Sequence, residues 1–388
     1  MTRNRQLSKQ YLRLIETLVN LPTAPFVETA VADFIRDFVK ARPALKLKRD
    51  RFGNLLVKYD PARKSKQRGR PLLFAAHMDH PGFIADGMTD DGLLRAQWHG
   101  GVRGGYFKGS RVKFWCDDGW RSGTIVKTIA NKTKLKDARY PDPPPKEVHI
   151  KMRGSVPRGA PGMWGLPDAR VSGKRLSARV CDDIAGLAAV LAMLDQLCTQ
   201  RAKAPAYGFF TRAEEVGFGG ALAALDGGTV PKRALVVVVE CSKVIPGVEM
   251  GAGPVLRVGD RASVFSPATT AYCQVVADQL VKDKKQFSYQ RKLMDGGTCE
   301  ATPYCVYGYD ATCICLPLMN YHNMDTAKGK IAPEKIDTRD YLNLIDWFVA
   351  LAQSPGRVEF GNGDPAMNKR LDGLLKKHRR RLETTAGR

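Results

Sequence analysis

The chain has 388 residues, 44% of them hydrophobic and 26% charged, a balance that excludes disorder as its main theme. One large or two modest domains with a sizeable core fit this length, and no window approaches the roughly 18 consecutive apolar residues of a spanning helix. Lys and Arg number 62 against 39 Asp and Glu, and the resulting +23 allows polyanion contact without saying anything about fold.

The first residues, Met1-Thr-Arg-Asn-Arg-Gln-Leu7, contain no apolar signal core, and the nine cysteines include no C-x-x-C pair. Both features lead us to expect a cytoplasmic protein with reduced thiols and no cysteine metal site. Tyr11, Leu12, Leu14, Ile15, Leu18 and Val19 recur with helical period, as do Val27, Val31, Phe34, Ile35 and Phe38, with Pro22 and Pro25 between them. A hairpin strand is expected over 52–59, then a basic turn over 63–70. The apolar run 72–76 predicts a strand buried on both faces.

From about 86 to 172 the texture changes. Gly and Pro are frequent, and alternating strands are expected over 110–116, 123–129 and 148–152, with an extended loop over 141–145. The α/β rhythm then resumes with helices over 184–197, 216–225, 268–282 and 339–351. Between them lie strands over 206–211, 234–239 and 312–316. This alternation predicts a mostly parallel sheet covered by helices on both faces, formed by residues 1–85 and 173–355. A small β-rich domain, 86–172, is inserted into it. Residues 356–388 form a basic tail in which Leu371, Leu374 and Leu375 predict a short amphipathic helix.

Residues able to do chemistry stand where the chain leaves these strands. His77 and Asp79 follow the strand at 72–76, and Asp182-Asp183 precede the helix at 184. Glu214-Glu215 follow the strand at 206–211, Glu240 ends the strand at 234–239, and His322 follows the strand at 312–316. Open α/β sheets build their sites at such carboxyl ends. Two imidazoles and several carboxylates suit two divalent ions, one carboxylate bridging them, and of a Glu-Glu pair one member can ligate while the other serves as general base. Singly, each signal has a plainer reading: a His-x-Asp hydrogen bond, Asp as a helix cap, solvated glutamates. The set is what argues for a site, together with Glu240 closing a run of four valines where an unpaired charge is costly.

These residues occur in motifs that resemble the deblocking or tetrahedral aminopeptidase family (glutamyl aminopeptidase-like), among the co-catalytic dinuclear metallopeptidases. The motifs are Ala76-His-Met-Asp79 with Pro81-Gly-Phe83, Val171-Ser-Gly-Lys-Arg-Leu176 running into Asp182-Asp-Ile-Ala-Gly186, Thr211-Arg-Ala-Glu-Glu-Val-Gly217, Met294-Asp-Gly-Gly-Thr298 and His322. The resemblance spans most of residues 10–352. It implies a small β-barrel in place of the inserted segment and two divalent ions per subunit, zinc or cobalt. His77, Asp182 and Glu240 would hold one ion, and Asp182, Glu215 and His322 the other. It further implies that Glu214 acts as general base on a metal-bridging water, that Asp79 orients His77, and that the Asp182-Asp183 bond is cis. The implied substrates are peptides, cleaved at their amino terminus, and the implied assembly is a homo-oligomer made through the inserted domain. Three positions depart from the family pattern. His80 follows Asp79 where an acid is usual, Glu240 stands for an Asp, and Cys299-Glu300 follow Thr298. From its place in that loop, Glu300 is a candidate for binding the substrate's amino group.

Two other functions compete. A carboxypeptidase, dipeptidase or deacylase can use the same dinuclear core, and Glu240 leans that way, although the early β-rich insert does not. A nucleic-acid-binding protein would use the +23 charge, but no binding motif accompanies it.

Overall fold

The structure, a computed structural model, describes residues 5–61, 70–131, 142–203, 205–354 and 365–385. The basic turn over 63–69, the start of the loop at 141 and the tail residues 356–364 lie outside the described residues. Helices α1 (Arg5–Leu18) and α2 (Thr29–Lys40) open the chain, followed by strands β1 (Leu45–Arg49), β2 (Leu55–Tyr59) and β3 (Leu72–His77). Next come β4 (Gly82–Met88), β5 (Leu94–His99), β6 (Arg111–Cys116), β7 (Gly119–Ile129), β8 (Glu147–Met152) and β9 (Pro161–Trp164). The chain returns through β10 (Arg170–Ser172), β11 (Arg175–Ala178), α3 (Ile184–Thr199), β12 (Ala206–Thr211), α4 (Gly219–Asp226) and β13 (Leu235–Lys243). It continues with β14 (Val255–Asp260), α5 (Pro267–Asp283), β15 (Gln290–Met294), α6 (Ala301–Val306) and β16 (Asp310–Leu318). The short strands β17 (Met324–Asp325), β18 (Lys330–Ile331) and β19 (Glu334–Asp337) precede α7 (Thr338–Gln353) and α8 (Pro365–Thr385).

An eight-stranded sheet in the order β1-β2-β12-β3-β13-β16-β14-β15 forms the frame. Its centre, β12-β3-β13-β16, is parallel throughout. Successive side chains of a strand point to opposite faces, so a strand buried on both sides must be apolar at every position. Leu72, Phe74 and Ala76 accordingly join one hydrophobic cluster with α1, α2, α3, α5 and α7, while Leu73 and Ala75 join the other with α4 and α6. The expected α/β architecture is what the chain adopts.

Strands β4 to β9 close into a barrel in the order β4-β5-β8-β7-β6-β9. Its interior holds Phe83, Trp98, Phe107, Phe114 and Trp164.

Several elements differ from expectation. Strands β14 and β15 were not anticipated, because Arg257 interrupts one apolar run and Gln290-Arg-Lys breaks the other, which lies at the sheet edge. Strand β13 runs on to Lys243, so Glu240 sits within the strand and not at its end. Helix α8 is much longer than the short helix expected of the tail, and its Leu371, Leu374 and Leu375 are about half exposed. Among the described residues no helix is long and apolar enough to cross a membrane.

Candidate active site

Because β12, β3, β13 and β16 are parallel, their carboxyl ends meet along one edge. His77 ends β3 beside Thr211 of β12, and Glu240 of β13 lies opposite Cys315 of β16. Glu214 and Glu215 leave β12 in a tight turn, Glu214–Val216, entered through Ala213 in the left-handed region at φ 50°. Asp182 and Asp183 are joined by a cis peptide bond immediately before α3. The pair does not play the plain capping role, since Asp183 makes no side-chain cap bond and Asp182 Oδ1 accepts the Cys241 N–H at 3.3 Å.

Hydrogen bonds fix which atoms are left over. His77 Nδ1 donates to the Asp79 backbone carbonyl at 3.0 Å, so Nε2 faces inward, 3.6 Å from Asp182 Oδ1. The Asp79 carboxylate is 3.6 Å from His77 Nδ1, and it accepts the backbone N–H groups of Glu214 and Glu215 at 3.0 and 3.1 Å. Asp79 thus holds the Glu-Glu turn as well as adjoining His77. The barrel rim supplies the matching contact for the other imidazole, whose Nδ1 donates to the Gly101 carbonyl at 2.7 Å. That bond leaves His322 Nε2 at 3.1 Å from Glu215 Oε2 and 3.7 Å from Asp182 Oδ2.

Ligand atoms of His77, Asp182 and Glu240 lie within 4.8 Å of one another, and so do those of Asp182, Glu215 and His322, with Asp182 common to both groups. Two atoms of the second group, His322 Nε2 and Glu215 Oε1, are buried without a hydrogen-bond partner. Buried polar atoms ordinarily find partners. Two imidazole nitrogens and three carboxylates converging in this way fit divalent cations bound through nitrogen and oxygen.

The electrostatics agree. Burial, reinforced by Glu215 and Glu300, raises the Glu214 carboxyl well above its ordinary value, and burial with Asp182 and Glu214 does the same to Glu240. Burial opposes charging of His322, yet Glu215 and Asp182 beside it raise its pKa to about 9. The cluster is short of positive charge.

Glu300 stands at the start of α6, buried, with Oε2 accepting the Thr211 hydroxyl at 3.0 Å and Oε1 unpartnered. Burial pushes its carboxyl up to about 7. Beside Glu240 opens a cleft lined by Lys243, Arg257, Met294, Thr298 and Tyr321. The ring of Tyr321 stacks on His322 at 3.7 Å between centroids. All eight residues singled out from the sequence lie at or beside this edge. Sequence reasoning missed Glu334, Asn323 and the hydrogen-bonding role of His80, which bridges the Asp182 carbonyl at 2.8 Å and Asn323 Oδ1 at 3.1 Å. Glu334 sits in a polar stretch with no periodicity, and only its burial marks it.

Known proteins resemble this chain in sequence pattern and in fold. The pattern of the M42 glutamyl aminopeptidase family matches residues 53–330. A protein of Acetivibrio thermocellus, named provisionally as an aminopeptidase, is 26% identical over 262 residues, covering 65% of this chain and 73% of its own. The aminopeptidase APDkam598 of Desulfurococcus kamchatkensis superposes with a TM-score of 0.73 at 23% identity, over 92% of this chain and 99% of that one. The Pyrococcus horikoshii TET1 peptidase, which can assemble into a tetrahedron or a large octahedral shell, gives 0.71 at 20% identity, over 88% and 99%. At these identities the two structures speak for the fold, whereas the family pattern spans both the sheet and the barrel. On that ground the chain belongs to the M42 glutamyl aminopeptidase family and is a peptidase.

Proposed function

We propose that the protein is a dinuclear metal-dependent aminopeptidase. His77, Asp182 and Glu240 would hold one divalent ion and Asp182, Glu215 and His322 the other, zinc or cobalt in each case. The observation that carries this reading is the convergence of His322 Nε2 on carboxylate oxygens alone, Glu215 Oε2 at 3.1 Å and the shared Asp182 at 3.7 Å, with Glu215 Oε1 buried and without a hydrogen-bond partner. When bound, such ions polarise the scissile carbonyl and lower the pKa of water.

The chain's own groups do the rest. Glu214, next to a ligand but not needed as one, takes the proton of the attacking water and delivers it to the leaving amine. Its pKa, raised by burial, suits a group that must both accept and return a proton. Asp79 keeps Glu214 in place through the backbone N–H groups it accepts. Glu300 receives the substrate's free amino terminus with its unpartnered oxygen. The side chain of the first residue enters the cleft beside Glu240, where Lys243 and Arg257 favour an acidic group.

In this reading residues 1–85 and 173–355 form the catalytic unit, 86–172 the inserted domain through which copies assemble, and 356–388 an accessory tail. The basic face of that tail is open to loose polyanion contact. All nine cysteines are unpaired, which supports a reducing, cytoplasmic setting.

The test is metal analysis of the purified protein alongside paired substrates that differ only at the amino terminus. Two ions per chain and cleavage of free-amine peptides, with their N-acetylated counterparts untouched, are expected. Faster cleavage of the acetylated member would move the assignment to the deacylase or carboxypeptidase reading.

A further inference from the structure

Glu334 is fully buried and belongs to neither group of converging ligand atoms. Its Oε2 accepts the backbone N–H of Cys181 at 2.7 Å and of Asp182 at 3.1 Å, and its Oε1 accepts the backbone N–H of His322 at 2.8 Å. Three donors from two distant segments converge on one carboxylate, and each segment carries a residue of the same candidate metal group. We infer that Glu334 is the positioning residue that sets the spacing of Asp182 and His322, and so the affinity for the ion held with Glu215. The inference rests on the proposed ligand set.

The local backbone explains why such a clamp is needed. His322 adopts φ 53°, with Asn320 at 57° and Asn323 at 63°, so the ligand sits in a run of left-handed residues that are not glycine. Such conformations are uncommon for residues other than glycine, least so for Asn, and at His322 the geometry persists only where surrounding contacts hold it. The chain then loops out as the β17–β18 hairpin, and Ala332 N–H donates to the Asn323 carbonyl at 2.9 Å to close its base. Closure brings Glu334 back beside the residue that left it. A second bridge runs alongside, from the Asp182 carbonyl through His80 to Asn323. The first ties the backbone of one ligand to the backbone of the other, and the second ties the Asp182 carbonyl to the side chain of the residue after His322. Glu334 makes three direct bonds to backbone N–H groups where the His80 bridge makes one backbone contact, which suits Glu334 to carry the greater share.

Elsewhere a carboxylate clamps backbone without serving any metal. Asp340 accepts the N–H groups of Gly251 and Gly253 at 2.7 and 2.8 Å, within α7. It provides the control for a purely structural role.

The experiment strips the full-length protein of metal and reloads it with Zn2+ against a competing chelator. Co2+ spectra report coordination at the second equivalent. In Glu334→Gln an amide nitrogen replaces one acceptor and opens one side of the clamp. The first equivalent should bind as in the parent, the second should weaken roughly 10–100-fold, and excess Zn2+ should restore kcat with little change in KM. Asp340→Asn should lower the melting temperature and leave both equivalents alone. His322→Ala should lose the second equivalent outright. If His322→Ala loses it while Glu334→Gln binds both like the parent, or loses both alike, the inference is wrong and the ligand set stands. If His322→Ala retains two, the ligand set falls and takes the inference with it. Should Glu334→Gln fail to fold, Glu334→Asp, which keeps the charge but shortens the reach, is read on the same criteria.

Discussion

Inside the barrel, Phe83 meets Trp98, Phe107, Phe114 and Trp164 at ring-centroid distances of 4.6 to 6.1 Å. At the carboxyl edge of the sheet, an equally buried space holds His77, Asp182, Glu214, Glu240, Glu300 and His322. Among the described residues the barrel interior leaves one donor, Trp164 Nε1, unpartnered, whereas the sheet edge leaves oxygens of Asp183, Glu215 and Glu300 and a nitrogen of His322 without a hydrogen-bond partner. Burial of apolar rings stabilises by its area, while burial of unpaired carboxylates costs free energy. The contrast separates a region built to hold itself together from one built to hold something else.

The sharpest way to break that contrast is Glu214→Gln. It should lower kcat roughly 10²–10⁴-fold with both equivalents of metal retained, as read by turnover alongside metal analysis. Loss of metal in this variant, with Glu215→Gln metal-replete, would exchange the roles of the two glutamates. Truncating the barrel core should act on stability instead. Trp164→Ala is expected to cost about 3–5 kcal/mol of unfolding free energy, measured by denaturant titration, while the folded fraction keeps its metal.

A smaller effect distinguishes a buried carboxyl that is satisfied from those that are not. Burial raises Asp340 to about 6 from an ordinary 3.8. The folded state therefore holds this proton more tightly than the unfolded one, and the stability it contributes is complete below about pH 4 and lost as pH rises through about 6. The stability difference between parent and Asp340→Asn, followed by thermal melts of the metal-free protein, should change across that window and be flat above it. The smallest effect belongs to the tail. Ending the chain after Gln353 removes α8 and should leave peptide hydrolysis unchanged, and a collapse in activity would make the tail part of the catalytic unit.

Much of this was legible because strand burial writes itself directly into composition. The run Leu72–Ala76 carried the signature of a strand covered on both sides, which placed the residues that follow it at its carboxyl edge. Helices with one buried stripe, such as α1 and α7, were equally plain. Strand β15 was not, because an edge strand carrying Arg291 and Lys292 has no apolar alternation to show, and such charges blunt an exposed edge. Glu240 was found but placed a few residues too near the strand end, since Cys241 and Ser242 do not look like strand continuation. Glu334 was invisible for a deeper reason. Its partners are backbone N–H groups, which carry no sequence identity, so a residue whose work is to hold main chain leaves no motif.

The β17–β18 hairpin sends Met324 and Ile331 into the hydrophobic cluster of the barrel, one step along the chain from the His322 turn. The same imidazole hangs by Nδ1 from the Gly101 carbonyl on the barrel rim. Barrel and sheet are therefore geared together at one ring. Any shift of the barrel against the sheet would move together the acceptor of His322 and the anchor of its hairpin, so the two domains cannot slide past one another without disturbing that imidazole.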